Sequence, residues 1–153
     1  MIFDEIEGFI GAPLPASYKE FVAKIEDFLY VAFNEFPEEF PEDNGVDWFF
    51  WGESRLSEEV SIEGAGDTAA WNQLSLYAKI DQNFKNRKEV TSDEGQISFE
   101  RLNMSIAIAE DNGDLLYLDS MSNFSVWVYM HDSGEVKKLC SSFDAWLERA
   151  SIN

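Results

Sequence analysis

A chain of 153 residues with 45% apolar and 15% aromatic side chains can build one domain around its own core, which argues against global disorder. No apolar run nears the roughly eighteen residues of a membrane span, and the acidic start Met1-Ile2-Phe3-Asp4-Glu5-Ile6-Glu7 is unlike a signal peptide. The single Cys140 excludes an internal disulfide and a thiolate-rich metal site, and a net charge of −19 repels nucleic acid and anionic membranes. The expectation is a cytoplasmic protein.

The first predicted element is a short helix over Ile2 to Gly11, with Ile2, Ile6, Phe9 and Ile10 on one side and Gly11 at the C-cap. "GAPLPASYKEF" then reads as a proline-bounded turn into a second helix. Ser17 and Glu20 have capping-box spacing there. Tyr18, Phe21, Val22, Ile25, Phe28, Leu29 and Ala32 follow at helical intervals and carry this predicted helix to Ala32. Residues 34–47, with two prolines, Asn44-Gly45 and six acids, read as a loop. An apolar strand follows from Val46 to Trp51, closed by Gly52. A second loop, "IEGAGDT", leads into a long predicted helix from Asp67 or Thr68 to Lys88, with Trp71, Leu74, Leu76, Tyr77, Ile80 and Phe84 on its apolar side. Lys85, Arg87 and Lys88 would complement its dipole.

In the last third the hydrophobic period changes from 3.6 to 2. "NMSIAIAE" alternates, with Met104, Ile106 and Ile108 on one face and Ala107 and Ala109 on the other. "LLYLD" and "SVWVYMH" are apolar on both faces, as buried strands are. Asn112-Gly113 and Ser133-Gly134 are hairpin turns between successive strands. Ser141 precedes a closing helix with Phe143, Trp146, Leu147 and Ala150 on its core side. The order predicts a single α+β domain: N-terminal helices, a largely antiparallel sheet in the C-terminal half and a C-terminal helix.

The stretch "IAEDNGDLLYLD" is dense in carboxylates, and three chemistries compete for it. As an EF-hand starting at Asp111 it fails, because Gly113, Leu115 and Leu116 fall at positions 3, 5 and 6. A calcium site of another kind on Asp111, Asn112 and Asp114 and an acid pair for hydrolysis stay open as alternatives. The third reading is a hairpin, with Asn112-Gly113 in the positive-φ turn, Asp111 and Asp114 bonding turn amides, and Asp119 capping the end of the next strand. His131, the one histidine, ends a strand and reads as a structural hydrogen-bonder. Cys140 reads as a buried thiol. Neither a G-x-S-x-G elbow nor a phosphate loop is present, so residue spacing by itself points to no enzyme, cofactor or metal.

Charge is uneven along the chain. Residues 1–67 hold 17 acids against 3 bases, a net of −14; residues 68–153 hold 13 against 8, a net of −5. Such a field steers basic ligands inward.

Three stretches in order, "IGAPLPASYKEFVAKIED", "DWFFWGESRLSEE" and "IAIAEDNGDLLYLDSMSNFSVWVYMHDSGEVKKLCSSFDAWLERA", resemble the SUKH superfamily of the Smi/Knr type. The resemblance is carried by Leu14, Pro15, Tyr18 and Phe21, by Gly52, by Asp111, Gly113, Asp114, Asp119 and His131, and by Phe143, Trp146 and Leu147. Two departures stand out: "IEDFLYVAFNEFPEEF" replaces a Gly-Gly or Asn-Gly pair, and the helical stretch from Thr68 to Lys88 is long. The resemblance implies a non-catalytic binding domain without cofactor. Bacterial members are chiefly immunity proteins that neutralise a toxin, often a nuclease with a basic cleft; other members are interaction scaffolds. The expected contact surface for a basic toxin is the acidic loop, with Glu35, Glu38, Glu39, Glu42, Asp43 and Asp47 as charges and Phe36 and Phe40 as aromatic anchors.

Overall fold

The computed structural model describes residues 1–152. Helix α1 (Ile2–Ile10) buries Ile2, Ile6 and Ile10, one residue per turn, and stops at Gly11, whose φ of 72° allows its N–H to reach the Glu7 carbonyl. Helix α2 (Ala16–Ala23) begins directly after Pro15. The capping box expected at Ser17 does not form: Ser17 lies inside the first turn and its buried hydroxyl has no partner among the described residues. The corner is closed by Glu7 instead, which accepts hydrogen bonds from the Leu14 N–H at 2.7 Å and Lys19 Nζ at 3.0 Å. Those two bonds hold the Glu7 carboxyl below its ordinary range, against the opposing pull of burial.

The second helix ends nine residues short of the expected Ala32. Phe28–Phe33 forms strand β1 and pairs along its whole length with β2 (Val46–Trp51). Three of its six residues are aromatic and Val31 is β-branched, and Leu29, Val31 and Phe33 also satisfy a period of two, so the helical spacing is fortuitous and the ladder decides. Helix α3 (Glu53–Leu56), the separate hairpin of β3 (Glu59–Ile62) and β4 (Gly66–Ala69), and a 3-10 turn over Ala70–Asn72 follow. Helix α4 is only Leu74–Asn83. Asp67 and Thr68 therefore belong to a strand, because Gly64 and Gly66, both at positive φ, turn the chain back on β3. The basic cluster falls beyond the helix, where Lys85 reaches Asp81 at 3.4 Å and Arg87 donates to the Ser133 carbonyl at 2.8 Å.

The rest runs β5 (Val90–Ser92), β6 (Gly95–Ile97), α5 (Phe99–Asn103), β7 (Ser105–Asp111), β8 (Asp114–Asp119), β9 (Ser125–Met130), β10 (Glu135–Cys140), α6 (Phe143–Arg149) and β11 (Ala150–Ile152). The chain is α+β, and nine strands form one sheet in the order β11-β1-β2-β7-β8-β9-β10-β5-β6, antiparallel except between β10 and β5. The N-terminal β1 and β2 thus extend the sheet expected of the C-terminal half. Ser142, rather than Ser141, caps α6 by accepting from the Ala145 N–H at 3.1 Å, and Ala150 leaves the helix to pair with Phe33 in β1. A bulge between Ala107 and Ala109 sets them opposite Tyr117 and Leu116, so these alanines lie on opposite faces and the simple alternation expected of β7 does not hold. Met104 ends α5 and does not enter that strand.

Register fixes the two faces. Phe50, Ala109, Leu116 and Val128 stand opposite one another across four strands, so Trp127 and Tyr129 point the other way. On the Phe50 face, α2 and α6 bring Tyr18, Phe21, Phe143 and Trp146 onto Phe50 and Phe33, with centroids between 5.0 and 6.3 Å apart. On the opposite face α4 and α5 set Tyr77 against Tyr129 and Arg101 over Trp127. No helix among the described residues is long and apolar enough to cross a membrane.

The Tyr18 hydroxyl is fully buried and has no hydrogen-bond partner among the described residues, and burial pushes the phenol far above its ordinary range. A buried orphan donor costs about 1–3 kcal/mol. Tyr18→Phe is expected to raise unfolding stability by about 1 kcal/mol in urea titration; a loss of that size would mean the hydroxyl is bonded in solution.

Candidate functional site

The β1–β2 connection over residues 34–45 is a built loop. Asn34, at its start, donates from Nδ2 to the carbonyls of Phe40 at 2.8 Å and Asp43 at 2.7 Å, and its Oδ1 accepts from the Phe36 N–H at 2.9 Å. Asp43 accepts from the Gly45 N–H at 2.8 Å, an Asx turn that closes the far end. Gly45 sits at φ +86°, and a Cβ there would collide with the Phe33 backbone. Arg149 donates to the Asn34 carbonyl at 3.1 Å, tying the loop to α6. Sequence reasoning had the loop and its acids but missed Asn34; the available signal was an asparagine directly after an aromatic strand.

The structure divides the predicted contact residues. Glu38, Glu39, Glu42 and Asp43 are exposed on the loop and have no ion-pair partner among the described residues. Phe36 and Phe40 are 50% and 55% exposed. Asp47 lies beyond the loop on β2, exposed and opposite Ala32. Glu35 turns inward, 2.8 Å from Lys137 Nζ on β10, and the Phe36 ring lies 5.3 Å from the same ammonium.

Beneath Glu35 the sheet forms a half-enclosed cavity of about 110 Å³. Its floor is Trp48, Val128, Met130 and Leu139, and its rim carries Glu35 and Lys137 on one side and Asp111 and Asp114 on the other. The register that aligns Phe50 with Val128 delivers these groups to one place, since Asp111 and Asp114 pair directly across the β7–β8 turn. The acidic loop and the family-type hairpin, far apart in sequence, thus share a cavity.

The hairpin itself is as read: Asn112 and Gly113 take φ of 49° and 95°. Its acids do not bond the turn amides, however. Asp114 Oδ1 accepts from the His131 N–H at 3.0 Å and lies 2.7 Å from His131 Nδ1, because β9 ends directly beside the turn. Gly113 leaves room for that ring, which lies 3.0 Å from where a Cβ would stand. The Asp111 carboxyl is pushed up by burial and by the nearby charges of Asp114 and Asp47. Asp119 does cap its strand end, accepting from the Met121 N–H at 3.0 Å, and it also takes Arg101 Nε at 2.6 Å.

The remaining motif residues are architectural. Leu14, Tyr18, Phe143 and Trp146 are buried, Phe21 and Leu147 are partly buried, and Pro15 precedes α2. Gly52 admits the Asp27 carbonyl 2.9 Å from where a Cβ would be. Cys140 is buried, and burial raises its thiol pKa. Among the described residues no three His, Cys, Asp or Glu side chains are grouped to hold a metal.

Two measurements probe this geometry. Gly45→Ala should cost more than about 1 kcal/mol in urea titration, because alanine is strained at positive φ and meets backbone; Gly8→Ala, in α1 with open space around it, should gain roughly 0.5–1 kcal/mol. The Asp114 hydrogen bond raises the His131 pKa above the ordinary histidine value. The charged imidazole then favours the folded state: its contribution is full below the unfolded-state pKa and is lost as pH rises through the folded one. In an NMR titration this single histidine should titrate high, and Asp114→Asn should bring it down. An unmoved midpoint would rule out the pair.

No curated protein and no solved structure matches the chain. The model of the SMI1 / KNR4 family (SUKH-1) matches residues 2–149, which include both the hairpin with its His131 clasp and the acidic loop. With that match across nearly its whole length, the chain belongs to the SMI1 / KNR4 family (SUKH-1).

Proposed function

We propose that this protein is a non-catalytic immunity protein of the cytoplasm, which binds a basic protein toxin of the nuclease class and neutralises it by covering its site. Family membership supports the class of function, through the immunity role that the SUKH resemblance implies. The observation that carries the reading is the 34–45 loop, which holds Glu38, Glu39, Glu42 and Asp43 exposed on a frame fixed by Asn34 and Gly45. A nuclease attracts polyphosphate with a basic cleft, and an acidic protrusion is complementary to it in charge. A pre-shaped loop loses little conformational freedom on docking, so more of the attraction survives as affinity. Phe36 and Phe40 supply apolar area beside the charges.

Co-expression with a large protein encoded next to the gene, as a candidate toxin, tests the function, scored by survival and co-purification; absence of both would leave the interaction-scaffold reading. For the surface, reversing Glu38, Glu39 and Glu42 to lysine should slow association at low salt at least tenfold, on the order expected for steered encounters, and flatten its salt dependence. An unchanged rate would exclude the loop.

A further inference from the structure

Twice within this fold an arginine lies on an aromatic ring while a carboxylate holds its guanidinium. Arg101 sits 5.4 Å from the Trp127 ring and bonds Asp119 at 2.6 Å. Arg55 sits 4.9 Å from the Phe49 ring and bonds Asp27 through Nε at 3.0 Å and through a terminal nitrogen at 3.2 Å. A third pairing of ring and carboxylate, Trp48 with Asp111, lines the cavity beneath the acidic loop, and among the described residues no arginine of this chain lies over it.

We propose that this cavity seats one arginine side chain of the protein partner, its methylenes against Trp48, Val128 and Met130 and its guanidinium at Asp111 and Asp114. The inference rests on the proposed protein partner and names the group of that partner that is gripped.

Size selects the class of ligand. At about 110 Å³ the cavity is well below the roughly 300–1,000 Å³ of metabolite and nucleotide sites, yet holds several times the ~30 Å³ of one water. That is space for the end of a side chain. Charge selects its sign: Lys137 is already matched by Glu35 at 2.8 Å and Asp114 by His131 at 2.7 Å. Asp111 has only a 3.4 Å contact from Asn112 Nδ2 and no ion pair among the described residues. The floor selects arginine over lysine. An apolar bed with an indole favours a planar, weakly hydrated cation that stacks and offers several donors, and disfavours a compact, strongly hydrated ammonium.

The test needs no toxin. N-acetyl-L-arginine amide is titrated into the folded protein, following the Trp48 indole N–H, assigned with Trp48→Phe, and the His131 ring by NMR. Saturable shifts at both groups are expected, with capped lysine about tenfold weaker and capped norleucine silent. Asp111→Asn, which keeps shape, should weaken arginine binding about tenfold, and Leu139→Phe, which fills the cavity from its floor, should abolish it. Shifts that never saturate, that lysine matches, or that survive Asp111→Asn overturn the proposal. Saturable arginine binding without protection by co-expression would sink the immunity reading and leave the cavity site standing. Protection without an arginine site would sink the cavity proposal alone.

Discussion

The pairing of β1 with β2 is the constraint on which the rest depends. Six consecutive residue pairs, from Phe28↔Trp51 to Phe33↔Val46, lock the register. A slip of one residue would turn every side chain to the other face of the sheet. That register puts Phe33 and Phe50 under α2 and α6, where the chain's two ends meet through Tyr18, Phe143 and Trp146. It also fixes the neck of the acidic loop, which leaves after Phe33 and returns at Val46, and it turns Trp48 into the cavity floor. Core packing and the candidate contact surface are therefore consequences of one ladder.

Electrostatics divides the acids into two working groups. Glu7, Glu35, Asp27 and Asp119 are matched by Lys19, Lys137, Arg55 and Arg101; the first pair joins α1 to α2, the third ties α3 to the segment before β1, and the other two pin the loop and α5 to the sheet. Three of the four cations also lie over aromatic rings, Arg55 on Phe28 and Phe49, Arg101 on Trp127 and Lys137 on Phe36, which adds dispersion and cation–π attraction to each pair. Among the described residues Glu38, Glu39 and Glu42 have no such partners and the Asp43 carboxylate accepts only from the Gly45 N–H; their mutual repulsion is a cost that Asn34 and Gly45 hold in place. A surface that keeps like charges together on a shaped loop is suited to a partner of the opposite sign, and the cavity below adds a place where one cation would be desolvated and gripped.

Local signals in the sequence were sound at several positions where a single residue type decides the conformation, though the capping serines were misplaced. Gly11 ended α1, Asn112-Gly113 made the hairpin turn, and Asp119 capped its strand end, each because few residues tolerate that φ or supply that acceptor. The buried faces of β8 and β9 were legible from apolar runs, and the motif residues Leu14, Tyr18, Phe143 and Trp146 were legible as core. Reading failed where two periods fit the same residues. Ile25 to Ala32 satisfied a helix by spacing and a strand by composition, and only pairing with β2 settled it. The stretch from Thr68 to Lys88 likewise divides into a strand, a 3-10 turn and a ten-residue helix, because β4 gains a partner in β3.

By itself, then, the sequence determined the fold class, the acidic character of the 34–47 segment and the positive-φ turns at Gly11 and Asn112-Gly113, since these follow from composition, charge and backbone preference at single positions. Tertiary structure alone decided which acids act together. Glu35 is one residue from Phe36 yet points at Lys137, and Asp111 and Asp114 meet the same cavity from a hairpin more than seventy residues along the chain. No local rule carries that information, because side-chain convergence is set by strand order and register across the sheet.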